Sequence, residues 1–97
     1  MDNQIVLEAL VQDYIPDAMT DQYEEGPPAS FDATVIKVLS PGSLRDRSIS
    51  IYHDRPEPPE SLWRQQGEKV QLRIELDMLE EGIQVFSGAV SDLRLVK

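Results

Sequence analysis

The sequence predicts a mainly β fold: a small five-stranded barrel, OB-like or SH3-like, with an N-terminal helix and one short helix between the second and third strands. Three observations lead there. From Phe31 onward the apolar residues recur with period two, which is the signature of strands. Proline and glycine punctuate that region at short intervals. The chain has 97 residues, and a chain of that size removes only about 60 to 70% of its unfolded surface from water, enough for one core. A single domain over 1–97 is therefore expected, with a helix over 1–15, an acidic linker over 16–30 and the barrel over 31–97.

The helix rests on Val6, Leu7, Leu10, Val11 and Tyr14, which fall at i, i+1, i+4, i+5 and i+8 and form one stripe. Asp2 or Asn3 can cap it, and Pro16 stops it. Ile5, Leu7, Ala9 and Val11 also alternate as in a strand. Helix is preferred because the stripe persists to Tyr14 and Glu, Ala, Leu and Gln are good helix formers. Pro16, Gly26, Pro27 and Pro28, set among Asp17, Asp21, Glu24 and Glu25, then read as an extended linker.

Phe31, Ala33 and Val35 share one phase, whereas Ile36 and Val38 take the other. That predicts a first strand whose buried face switches at a bulge. Ser40-Pro41-Gly42-Ser43 is a turn signal. Arg47–His53 follows as a strand with Ile49 and Ile51 inward and Ser48, Ser50 and Tyr52 outward. Pro56, Pro58 and Pro59 exclude a central strand, so a short helix through Leu62 and Trp63 is expected, with Gly67 just past its end. Lys69–Met78 alternates most cleanly, with Val70, Leu72, Ile74 and Leu76 inward. After the turn Glu80-Glu81-Gly82, Ile83–Val90 is expected to return as its hairpin partner, and Leu93, Leu95 and Val96 close the chain.

Charge and composition narrow the function. The net charge is −9, and residues 1–30 hold seven acids without a Lys or Arg. There is no cysteine, which removes disulfides and thiolate metal sites. No run approaches the ~18 apolar residues of a membrane span, and the first basic residue is Lys37. The protein is read as cytoplasmic.

No catalytic, cofactor-binding or metal motif emerges. His53 is the only histidine, and on a strand it points away from Ser48 and Ser50, so the three cannot form a triad. Glu75, Asp77, Glu80 and Glu81 lack calcium-loop spacing and read as a solvated acidic face. Gly42 and Gly67 lack the spacing of a phosphate loop. A non-enzymatic binding module remains, recognising a protein with a basic surface in the manner of an inhibitor, an immunity-type protein or an accessory subunit. Its contacts would be Asp13, Asp17, Asp21, Glu24 and Glu25 with the outward Glu75 and Asp77. The alternative is an OB-like module for single-stranded nucleic acid, in which Tyr52 lies near Arg73 and is flanked by Arg45, Arg47 and Arg55.

Overall fold

The computed structural model describes residues 3–21, 29–75, 77 and 85–96, side chains excepted at 20, 21 and 29. Six strands run in chain order: β1 Gln4–Asp21, β2 Ala29–Ser40, β3 Ser48–His53, β4 Lys69–Glu75, β5 Val85–Phe86 and β6 Val90–Leu95. They form one mixed sheet in the order β5-β3-β2-β1-β4-β6. Every neighbouring pair is antiparallel except β3 with β5, which is parallel. The mainly β expectation holds. Hydrogen bonding does not close the sheet into the expected barrel, although its two edge strands follow one another in the chain through a 3-10 turn, Ser87–Ala89.

The N-terminal region needs the largest correction. Of residues 1–15, read as a helix, and 16–30, read as a linker, those described form the 18-residue β1 and the start of β2, and 22–28 lie outside the described residues. The reason lies in the pairing. Through its first half β1 pairs with β4 on one side, Ile5 with Ile74, Leu7 with Leu72 and Ala9 with Val70. From Glu8 on it pairs with β2 on the other. Val11 faces Ile36, but the next pair is Asp13 with Val35, so Gln12 is an extra residue. This bulge shifts the phase of the strand by one. Tyr14 therefore points inward like Leu7 and Val11, while Val6 and Leu10 face outward. A helical stripe is thus imitated by an inward set, a bulge and two outward apolar residues, and cross-strand packing overrides the helix propensity of the segment. Glu24 and Glu25 lie outside the described residues.

No face switch occurs in β2. Asp32, Thr34, Ile36 and Val38 are all buried and point inward, while Phe31, Ala33 and Val35 point outward. Polar side chains occupy the inward positions where apolar ones were sought. In β3 and β4 the predicted alternation stands, with Ile49, Ile51, Val70, Leu72 and Ile74 buried. The hairpin partner of β4 is β6, and Val85–Phe86 lies instead beside β3.

Between β3 and β4, the expected short helix is a single 3-10 turn, Leu62–Arg64. The Ser61 hydroxyl caps it by accepting from the Trp63 amide at 3.2 Å, and in turn donates to Glu57 at 2.8 Å. Trp63 joins Leu7, Ile36, Ile51, Val70 and Leu72 in the core. The chain leaves the turn through Gly67, whose φ of 90° favours glycine and whose amide donates to the Val11 carbonyl at 2.8 Å. Among the described residues no helix is long and apolar enough to cross a membrane.

Gly67 and Gly42 make a matched test, because both have open space where a Cβ would stand but only Gly67 has positive φ. In urea unfolding, Gly67→Ala is expected to lose about 1 to 2 kcal/mol, and Gly42→Ala to stay within about 0.5 kcal/mol of the parent.

Candidate functional site

The same stretch of sheet carries two groups of side chains, one on each face. On the outer face the register aligns Ile15, Ala33, Tyr52 and Phe86 across β1, β2, β3 and β5. Met19 and Phe31 pair in the adjacent row toward the far end of β1. The rings touch. Phe31 meets Phe86 edge-on at 5.9 Å between centroids, and Tyr52 meets Phe86 at 6.0 Å and 46°. Ile15 and Phe86 are 40% and 37% exposed, so this cluster faces solvent and is no second core. Ala33, the small residue of the row, is covered between Ile15 and Tyr52.

One carboxylate, Asp13, borders the cluster, and a second, Asp17, lies near its end with its carboxylate turned to Ser30 on the inward phase of β2. Asp13 faces Val35 in the neighbouring outer row, and Asp17 stands in the bulge between Ile15 and Met19. Both are exposed. Asp17 has a φ of 52°, and its carboxylate accepts from the Ser30 hydroxyl at 2.5 Å. Lys37, two rows away, is paired with Asp46 at 3.6 Å.

The inner face at this level is polar. Asp32 receives the Tyr14 hydroxyl on Oδ2 at 2.5 Å and the Asp17 amide on Oδ1 at 3.1 Å. The Tyr14 oxygen also accepts from the Glu57 amide at 2.9 Å. Thr34 donates its one hydroxyl proton to the Trp63 carbonyl at 3.0 Å. Its contact with His53 Nε2 at 2.8 Å must then be donated by the imidazole, which sets the tautomer. The Nδ1 lone pair of His53 has no partner among the described residues, although the side chain is only 1% exposed. His53 stacks on Tyr14 at 5.8 Å and leans on Trp63 at 5.2 Å, and the Arg64 guanidinium lies 4.3 Å from the centre of the Tyr14 ring.

These contacts shift three proton affinities. Burial lowers the pKa of His53 below 6.5, against the opposing pull of Glu57, Asp32 and Asp54. The Tyr14 hydrogen bond holds Asp32 below the ordinary carboxylate value, and burial together with Asp32 raises Tyr14 above 10.0. The cluster thus favours a neutral imidazole, a charged carboxylate and a neutral phenol.

The sequence-derived sites are only partly assembled. Asp13 borders the aromatic patch, Asp17 turns its carboxylate to Ser30, and Asp21 ends β1. Glu75 pairs with Gln4 at the opposite end of β1, roughly 25–30 Å from Asp13 along the strand at about 3.3 Å per residue. Asp77 is exposed just beyond Glu75, so these two acids do not join the others. Arg45 and Arg47 lie before β3 and Arg55 after it, at the two ends of the strand that carries Tyr52. Arg73 is separated from Tyr52 by two intervening strands and is paired with Asp92 at 2.8 Å. Phe31 was missed because alternating apolar residues read as core. The Tyr14, Asp32 and Thr34 cluster was missed because Tyr14 was assigned to a helix. Among the described residues no three metal-ligating side chains stand together. No family model, curated protein or solved structure matches this chain.

The pKa directions fix the shape of the stability profile. His53, with its folded value lowered, contributes stability above pH 6.5 that is lost as pH falls through that folded value. Tyr14, with its folded value raised, contributes below pH 10.0, and that contribution is lost as pH rises through its folded value. Asp32 adds a second acid loss below 3.8. Denaturant midpoints should therefore be flat between pH 6.5 and 10.0 and fall on both sides, with the first acid step absent from His53→Gln. At neutral pH, Tyr14→Phe is expected to cost about 1.5 to 3 kcal/mol, the range for a hydrogen bond to a charged group.

Proposed function

We propose that the chain is a non-enzymatic docking module of the OB type, acting in the cytoplasm, whose outer β1-β2-β3-β5 face receives a basic protein segment. The carrying observation is the cluster of the exposed Phe86 with the half-buried Phe31 and Tyr52, bordered by Asp13. Lysine and arginine side chains suit such a face, since their cationic ends are attracted to ring faces and to carboxylates while their stems cover apolar surface. The net charge of −9 favours the same partner by long-range attraction.

Connectivity supports the OB reading. If Val85–Leu95 is taken as one strand interrupted by the Ser87–Ala89 turn, it runs parallel to β3 and antiparallel to β4, while β1 pairs with both β2 and β4. That is the path of a five-stranded, partly open Greek-key barrel. The 3-10 turn Leu62–Arg64 then falls between the third and fourth strands, where an OB fold carries its helix.

Single-stranded nucleic acid is the second reading, favoured by the rings on the face of the second and third strands, the surface that OB folds use for stacking bases. The bordering charges argue against it, since Asp13 and Asp17 repel phosphates and Arg73 is already paired with Asp92.

Fluorescence anisotropy separates the two. A labelled peptide alternating arginine with leucine is expected to bind at ~50 mM salt and to weaken at ~500 mM. Its affinity should fall about tenfold on Tyr52→Ala or on joint Asp13→Asn and Asp17→Asn. Labelled oligothymidine is expected not to bind. Peptide binding that survives both sets of substitutions, or oligothymidine binding that depends on Tyr52, would overturn the basic-partner reading.

A further inference from the structure

We infer that the buried polar cluster is an acid-sensitive latch for the outer face: protonation of His53 draws the Asp32 carboxylate away from Tyr14 and Asp17 and releases the bulge that carries Asp17. The functional half of this inference rests on the docking face proposed above, whereas the latch stands on the geometry of the cluster.

Asp32 and His53 face each other in register on β2 and β3, an arrangement that sets Cβ atoms about 4.5 to 5.5 Å apart. At neutral pH both Asp32 oxygens are engaged, one by the Tyr14 hydroxyl and the other by the Asp17 amide. His53 meanwhile spends its single N–H on Thr34, which is itself committed to the Trp63 carbonyl. A second proton can enter only at Nδ1, where no acceptor stands among the described residues. The new N–H would be buried and charged, a costly state unless a carboxylate answers it.

The groups facing the imidazole are few. From β1 comes Tyr14, and from β2 come Asp32 and Thr34. From the chain after β3 come Asp54, Glu57 and Trp63, with Arg64 behind the Tyr14 ring. Of the three acids, Asp32 is buried and sits directly across the strand pair, while Asp54 is exposed and Glu57 is held by the Ser61 hydroxyl. Asp32 is thus the natural partner of a protonated His53. It cannot turn to His53 and keep both present bonds, and the Asp17 amide, in a positive-φ bulge with no paired strand residue, is the weaker holder.

The outer face feels this change because the same residues' neighbours form it. Phe31 adjoins Asp32, and Tyr52 adjoins His53. Acid would thus loosen the bulge at Asp17 and the footing of two rings together. The burial that makes the imidazole reluctant to protonate places the transition below the ordinary histidine range.

The test follows the free protein first. In an amide NMR titration from pH 7.5 to 4.5, the Asp17 signal is expected to move with the same midpoint as the His53 ring, below 6.5. In His53→Gln that step should vanish. An Asp17 amide that does not follow His53 in the parent chain, or that moves identically in the variant, would overturn the latch. The arginine-leucine peptide, which does not titrate in this range, supplies the second readout. Its affinity should drop about tenfold across the His53 midpoint in the parent and not in His53→Gln, where a tenfold loss corresponds to 1.36 kcal/mol. Absence of peptide binding at every pH would refute the docking face and leave the Asp17 titration to decide the latch.

Discussion

The Asp32 carboxylate is the point at which the long β1-β2 hairpin is held. It sits 8% exposed on the inner face of β2 and accepts from the Tyr14 hydroxyl and from the Asp17 amide. β1 needs such a hold. Beyond Leu10 it has left β4, and its pairing with β2 is interrupted after Val11 and again after Ile15. Where the ladder of backbone hydrogen bonds breaks, a side chain must satisfy the freed amide or it is lost to water. Asp32 does so for Asp17 while the Tyr14 hydroxyl ties the same carboxylate to the chain after β3 through the Glu57 amide. Three segments far apart in sequence meet at one charged group, which is why its removal should be felt on both faces of the sheet.

The two faces are coupled because strand side chains alternate. Inward positions 32, 34 and 53 carry Asp, Thr and His, and outward positions 31, 33 and 52 carry Phe, Ala and Tyr. The arrangement reverses the usual sense of a half-buried sheet: polar groups are inside and aromatic groups outside. Buried polar groups are tolerated here because they satisfy one another, the single exception among the described residues being Nδ1 of His53. The outer rings, half-buried at Phe31 and Tyr52 and exposed at Phe86, by contrast keep apolar surface in water, and such a patch on a strongly acidic chain fits a docking role.

How much of this was legible in the sequence follows from the same reversal. β3 and β4 were readable because Ile49, Ile51, Val70, Leu72 and Ile74 alternate with polar residues, and Trp63 was readable as a plug because prolines precede it and Gly67 follows. β1 was not. The extra residue Gln12 breaks the period of two, and the outward Val6 and Leu10 complete a stripe that mimics a helix. β2 was recognised as a strand but its inner positions were not, since Asp32 and Thr34 do not look like core and Phe31 does. The reading of the outer face inherited these errors. Asp13 and Asp17 were flagged for their charge, whereas Phe31 was counted as core. Arg73 was placed beside Tyr52 because, without β1 in the count, β3 and β4 appear to be neighbours. A sequence pattern reports the period of a strand, and it does not report which strand lies beside it.

If Asp32 holds the outer face as well as the hairpin, its replacement must disturb rings it does not touch. The direct measurement is the nuclear Overhauser contact between the Phe31 and Phe86 rings in Asp32→Asn, in protein whose Val70, Leu72 and Ile74 signals show that the core remains folded. The structure predicts that this contact weakens or disappears while the core signals stay in place. An unchanged Phe31–Phe86 contact in a folded Asp32→Asn chain would contradict the account.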